Sequence, residues 1–139
     1  MNRLLTPWLL SLTLALGACQ AATPPATPPA ANVPADLPGL GQALDQAIGD
    51  AACRADADCR TVPLGHRACG GPSSYRAYSL LGGQQARILV LAQAQREAMR
   101  AQVEQRGLVS DCRALMDPGA QCLTGRCVPR SDANGRAVY

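Results

Sequence analysis

The stretch Cys53-Arg-Ala-Asp-Ala-Asp-Cys59-Arg-Thr-Val-Pro-Leu-Gly-His66-Arg67-Ala-Cys69 decides how the chain is read, because it sets three of the seven cysteines close together. Cys112, Cys122 and Cys127 follow, and Cys19 lies apart near the start. With Cys19 set aside, an even six are left in a segment of roughly 100 residues, the size of one small domain. Such a set reads as three disulfides in an oxidising compartment. The rest of the composition agrees, since there is no Phe and the one Trp is Trp8. Tyr75, Tyr78 and Tyr139 are then the aromatics of the folded part, and Leu, Val, Ile, Ala and Met must fill a thin core. Cross-links each worth about 2–4 kcal/mol would supply what that core lacks.

Outward from this stretch, the apolar spacing of Leu37, Leu40, Leu44, Ala47, Ile48 and Ala51 predicts a first helix from Pro38 to Ala52. Cys53 to Cys59 then forms a polar loop. Arg60 to Gly65 predicts a short strand in which Pro63 demands an edge or a bulge. His66 to Ser74 is rich in turn residues, and Tyr75 to Leu81 is a second extended piece. Gln84 to Arg106 is the strongest helical signal, with Ile88, Leu91, Ala92, Gln95, Met99 and Val103 along one side, Arg100 placed to pair with Glu104, and Gly107 as the stop. Leu108 to Arg130 carries turn signals at Asp117-Pro-Gly and Thr124-Gly, and is expected to lay a strand or hairpin against the Arg60 segment. The expected fold class is α+β: a small disulfide-stapled domain with two helices, one of them long, and a short antiparallel sheet or hairpin. Six cysteines allow many pairings; the expected one is Cys53–Cys59, Cys69–Cys127 and Cys112–Cys122.

The domain is preceded by two segments of other character. Met1 to Ala18 has a short positive start (Asn2, Arg3), an apolar run through Leu16 and small residues at its end, the pattern of an export leader. It is too short for a permanent transmembrane helix, which needs about 20 apolar residues. Gln20 to Pro38 repeats Ala-Thr-Pro-Pro and predicts an extended, solvated tether rising about 3.1 Å per residue, on the order of 50 Å in all. The resulting division is a leader at 1–18, Cys19 with its tether at 19–37, and a cysteine-rich domain at 38–139.

Leu16-Gly17-Ala18-Cys19, at the end of the leader, resembles the lipobox of bacterial lipoproteins. The resemblance implies diacylglycerol on the Cys19 thiol, cleavage between Ala18 and Cys19, and a third acyl chain on the new amino terminus. Two or three chains anchor a protein firmly where one holds only marginally. Gln20, where an Asp would favour retention in the inner membrane, implies the outer membrane. The competing reading is an ordinary secretory signal, which would strand an odd thiol. Cys53-x5-Cys59-Arg, Gly65-x3-Cys69-Gly-Gly-Pro, Ser110-Asp-Cys112 and the final Cys-x4-Cys are similar to small cysteine-rich lipoproteins of proteobacteria. That similarity implies the cysteine framework and carries no activity.

Charge argues against a nucleic-acid partner. Removing Arg3 with the leader leaves 12 arginines, with no lysine, against 10 acidic residues, a net charge near +2. Three chemical constellations present themselves. Cys69 follows His66 closely beside a Gly-Gly-Pro loop, as a thiol nucleophile would require, but a thiolate is hard to keep where six cysteines pair evenly. Cys112, Cys122, Cys127 and His66 offer soft metal ligands without the two close pairs of a zinc site. Asp56-Ala-Asp58 starts like a calcium loop but lacks the glycine and terminal glutamate. No catalytic residue, metal or cofactor is therefore expected. The expected role is a non-enzymatic envelope lipoprotein, bound to the bilayer through acylated Cys19 and contacting an envelope protein through His66, Arg67, Tyr75 and Tyr78. A periplasmic inhibitor of a secreted hydrolase, of lysozyme or protease type, is the alternative.

Overall fold

The computed structural model describes residues 33–130. The leader, Cys19, most of the tether and the tail from Ser131 lie outside the described residues, as does Tyr139. In chain order the elements are α1 (Leu37–Ile48), a 3₁₀ turn (Asp56–Asp58), β1 (Cys59–Leu64), β2 (Ser74–Ser79), α2 (Gln85–Arg106), β3 (Ala120–Leu123) and β4 (Arg126–Pro129). Two helices, two antiparallel hairpins and three disulfides make this a small disulfide-stapled α+β domain. Neither helix is long and apolar enough to cross a membrane.

Each element follows from local chemistry. Asp36 caps α1 by accepting the Gly39 N–H at 2.8 Å, and Pro38 occupies the first turn, where its missing N–H does no harm. The helix buries Leu40, Ala43, Leu44 and Ile48. It stops at Gly49, short of the expected Ala52, because Gly49 and Ala51 take φ of 53° and 49°. The chain is then free to run beside β4, where Ala52 bridges Arg126, the Cys53 N–H donates to Gly125 O, and the Cys127 N–H donates to Ala51 O. Gly107 ends α2 in the left-handed conformation at φ 58°, the stop its position in the sequence implies.

β1 and β2 pair from Cys59↔Ser79 to Leu64↔Ser74. In this register Val62, Leu64 and Tyr78 share one face, which packs on Leu40, Leu44, Ile88, Leu91 and Ala92 of the helices. Cys59 and Ala77 share the other face, which meets Cys53, Ala120 and Cys127. A two-stranded sheet has only edges, so Pro63 sits in β1 without removing a needed donor. The sheet thus separates an aliphatic core from a sulfur-rich one.

The tail forms the expected hairpin, β3 with β4, which packs on the Cys59–Ala77 face of the first sheet and adds no strand to β1. Their two-residue connection, Thr124-Gly125, has φ of 50° and 80°, which matches the twist of a tight hairpin and lets the tail satisfy its own backbone. The expected disulfide pairing is corrected throughout. The bonds are Cys53–Cys122, Cys59–Cys127 and Cys69–Cys112. Cys53 and Cys59 flank the 3₁₀ turn and each reaches a different strand of the β3–β4 hairpin, so two bonds bolt that hairpin to the rest of the domain.

Candidate functional site

Two irregular segments come together at one end of the domain. The first is the β1–β2 connection, Gly65 to Ser73, which takes in the turn-rich loop His66 to Ser74 read from the sequence except for Ser74, the first residue of β2. Its close fold starts at Gly65, whose φ is 67° and where a Cβ would lie 2.0 Å from Ser73 Oγ, a position open only to glycine. Inside it, the Arg67 N–H donates to Gly71 O at 3.1 Å and the Gly70 N–H donates to Arg67 O at 2.8 Å. The second segment joins Gly107 to Ala120 with neither helix nor ladder.

The two are joined covalently by Cys69–Cys112, whose Cα atoms are 5.2 Å apart. Arg67 straddles that bond. Its Nη2 donates to Asp111 Oδ1 at 2.8 Å, and its Nη1 donates to the carbonyl oxygen of Arg113 at 2.9 Å. Further along, the Thr61 hydroxyl donates to Asp117 at 2.8 Å, and the Tyr75 hydroxyl donates to Leu115 O at 3.5 Å. The Asp117 carboxylate also accepts the Gly119 N–H at 2.8 Å, closing the segment onto β3. An irregular stretch fixed at this many points loses little further freedom when it meets a partner.

On either side of His66 the surface is concave. One groove, of about 400 Å³, lies between Pro72, Tyr75 and the α2 side chains Gln93, Arg96, Glu97 and Arg100. The other, of about 360 Å³, lies between Arg67 and the apolar pair Leu108 and Val109. Val109 is 95% exposed, which sets a bare apolar side chain at the rim.

The four contact residues expected from the sequence divide three to one. His66, Arg67 and Tyr75 lie in or beside these grooves and are partly exposed. Tyr78 is corrected: it is 3% exposed and belongs to the aliphatic core. The reason is parity, because Tyr75 and Tyr78 are an odd number of residues apart and must point to opposite faces of β2. Cys69 carries no thiolate for nucleophilic attack, since its sulfur is bonded to Cys112. Of the soft ligands considered, Cys112 is in the same position, and Cys122 and Cys127 are bonded to Cys53 and Cys59. The Sγ atoms of Cys53, Cys59 and Cys127 lie within 4.8 Å of one another, but disulfide sulfur lacks the thiolate charge that binds metal. Asp56 and Asp58 spend their carboxylates on backbone donors: Asp56 accepts the Cys122 N–H, and Asp58 accepts those of Arg54 and Ala55.

Sequence reasoning missed Asp111, Arg113 and Leu115, the residues through which the second segment is held. The only trace of them in the sequence is the lack of any apolar period between Gly107 and Ala120, a signal that gives a loop but not its position. Compared with protein-family models, curated proteins and solved structures, the chain matches none of them.

Proposed function

We propose that this chain is an envelope lipoprotein, acylated at Cys19 and held on the outer membrane, whose domain is a non-enzymatic binding module facing the periplasm. Its contact surface is the pair of segments joined by Cys69–Cys112. The observation that carries the reading is the double grip of Arg67 on Asp111 and on the Arg113 carbonyl across that disulfide. Holding a stretch this exposed in one shape has an evident use when the shape itself is recognised, because pre-organisation lowers the ordering cost of association. The lipobox-like Leu16-Gly17-Ala18-Cys19 and the proline-rich tether supply the anchor and the reach.

Two measurements test this. Metabolic labelling with palmitate should mark the wild-type chain in the outer-membrane fraction, and Cys19→Ser should abolish the label and release the protein into the aqueous phase. A photo-reactive amino acid placed at Ala114, compared with one at Gln42 on the exposed side of α1, should give a crosslinked adduct unique to Ala114. Identical adduct patterns at the two positions would overturn the contact surface.

A second reading, inhibition of a secreted protease, is favoured by one specific feature, the long exposed side chain of Arg113 in the fixed segment.

A further inference from the structure

Resting on the reading that the Cys69–Cys112 segments are the contact surface, we infer that Arg113 is the anchor residue of an inhibitory loop directed at a trypsin-like serine protease. The Arg113 side chain is 86% exposed, more than that of any other ion-paired arginine described. Among the described residues its one ion-pair contact is a loose one, 3.6 Å to Asp111. Its backbone is fixed: Cys112 is bonded to Cys69, and the Arg113 N–H donates to Asp111 Oδ1 at 3.3 Å. A free cationic side chain on an immobile backbone is the complement of a deep pocket that ends in a carboxylate, the arrangement by which trypsin selects its substrates. Ala114, the next residue, is small and exposed and puts no bulk in the way.

The same geometry separates an inhibitor from a substrate. Cleavage after an arginine requires its carbonyl oxygen to enter the protease's oxyanion hole. Here that oxygen already accepts from Arg67 Nη1 at 2.9 Å. Cys112 takes φ of 56°, which bends the chain away from the extended form in the residue before the arginine. Arg113 can fill the pocket while its peptide bond is withheld from attack, and the bound complex persists.

The test uses the full chain, oxidised and kept in detergent, against trypsin hydrolysing a small chromogenic arginine amide. Wild type should inhibit competitively, and Arg113→Ala should weaken inhibition by about 100-fold or more, as expected of a central anchor. Arg113→Lys should retain most of it, and Arg126→Ala, which alters an arginine elsewhere on the surface, should change nothing. Arg67→Ala should turn the inhibitor toward substrate. Hydrolysis that adds water across the Arg113–Ala114 bond, followed by mass spectrometry, should speed up by about 10- to 100-fold, the worth of a charged hydrogen bond. Lack of inhibition by oxidised wild type, inhibition that survives Arg113→Ala, or loop-dependent inhibition of a lysozyme in its place would each overturn the proposal. In those cases a unique Ala114 crosslink still upholds the binding surface, and its absence removes that reading as well.

Discussion

The Ser79 hydroxyl donates to the carbonyl oxygen of Ala52 at 2.5 Å, joining the end of β2 to the short run that bridges the β3–β4 hairpin. The Ser79 hydroxyl oxygen in turn accepts the Leu81 N–H at 3.1 Å. Ser79 is 7% exposed, and losing its hydroxyl removes the hydrogen-bond partner of the Ala52 carbonyl and of the Leu81 N–H together. Ser79→Ala should therefore destabilise the domain by about 1–3 kcal/mol, read as a lower urea midpoint with an unchanged slope.

The three disulfides should differ in accessibility. Cys69 and Cys112 are both exposed, whereas Cys59 and Cys127 are 3% and 7% exposed. Mild reduction followed by alkylation and mass spectrometry should label Cys69 and Cys112 first, with the fold retained. Cys59 and Cys127 should be labelled only as the domain unfolds. Replacing both Cys59 and Cys127 by Ala should cost about 3–5 kcal/mol, with loss of cooperative thermal unfolding at moderate temperature.

Leu91 is 1% exposed at the centre of the aliphatic core, while its neighbour Val90 is 49% exposed on the outer side of α2. Leu91→Ala should destabilise by about 2–5 kcal/mol through lost burial and the cavity left behind. Val90→Ala should stay within about 0.5 kcal/mol. Equal effects in chemical denaturation would contradict the helix orientation described above.

Asp58 gives an acid-side signature. The backbone N–H of Arg54, then that of Ala55, hold its carboxyl below the ordinary value of 3.8, because both donors favour the charged form. A depressed folded value means that the stabilisation is in place above the unfolded value and is lost as pH falls through the folded one. The melting temperature should drop as pH is lowered from about 5 toward 2, and Asp58→Asn should flatten that part of the profile.

The long helix was legible because its signal is local: Ile88, Leu91, Ala92 and Val103 recur at helical spacing, and all four are buried. The first hairpin was half legible, since β1 and β2 were placed to within a residue or two, but neither their pairing with each other nor its register was. The candidate surface was read only in part. His66 and Arg67 stood out beside Cys69, whereas Asp111 and Arg113 acquire their place solely from a contact 44 or more residues away in the chain. Tyr78 shows how a correct strand can still mislead, because composition marks an aromatic as available while strand parity buries it.

By itself the sequence determined an even set of cysteines in one small domain, two helices and the Gly107 stop of the second. These depend on composition, short periods and the backbone limits of glycine and proline, all of which act within a few residues. Tertiary structure alone decided which sulfurs bond, that β1 pairs with β2, that Tyr78 faces inward, and that Arg67 reaches across to hold Arg113. A disulfide forms only where two Cα atoms come within about 6 Å, and a guanidinium grips only what packing brings to it. Those distances are set by the whole fold at once.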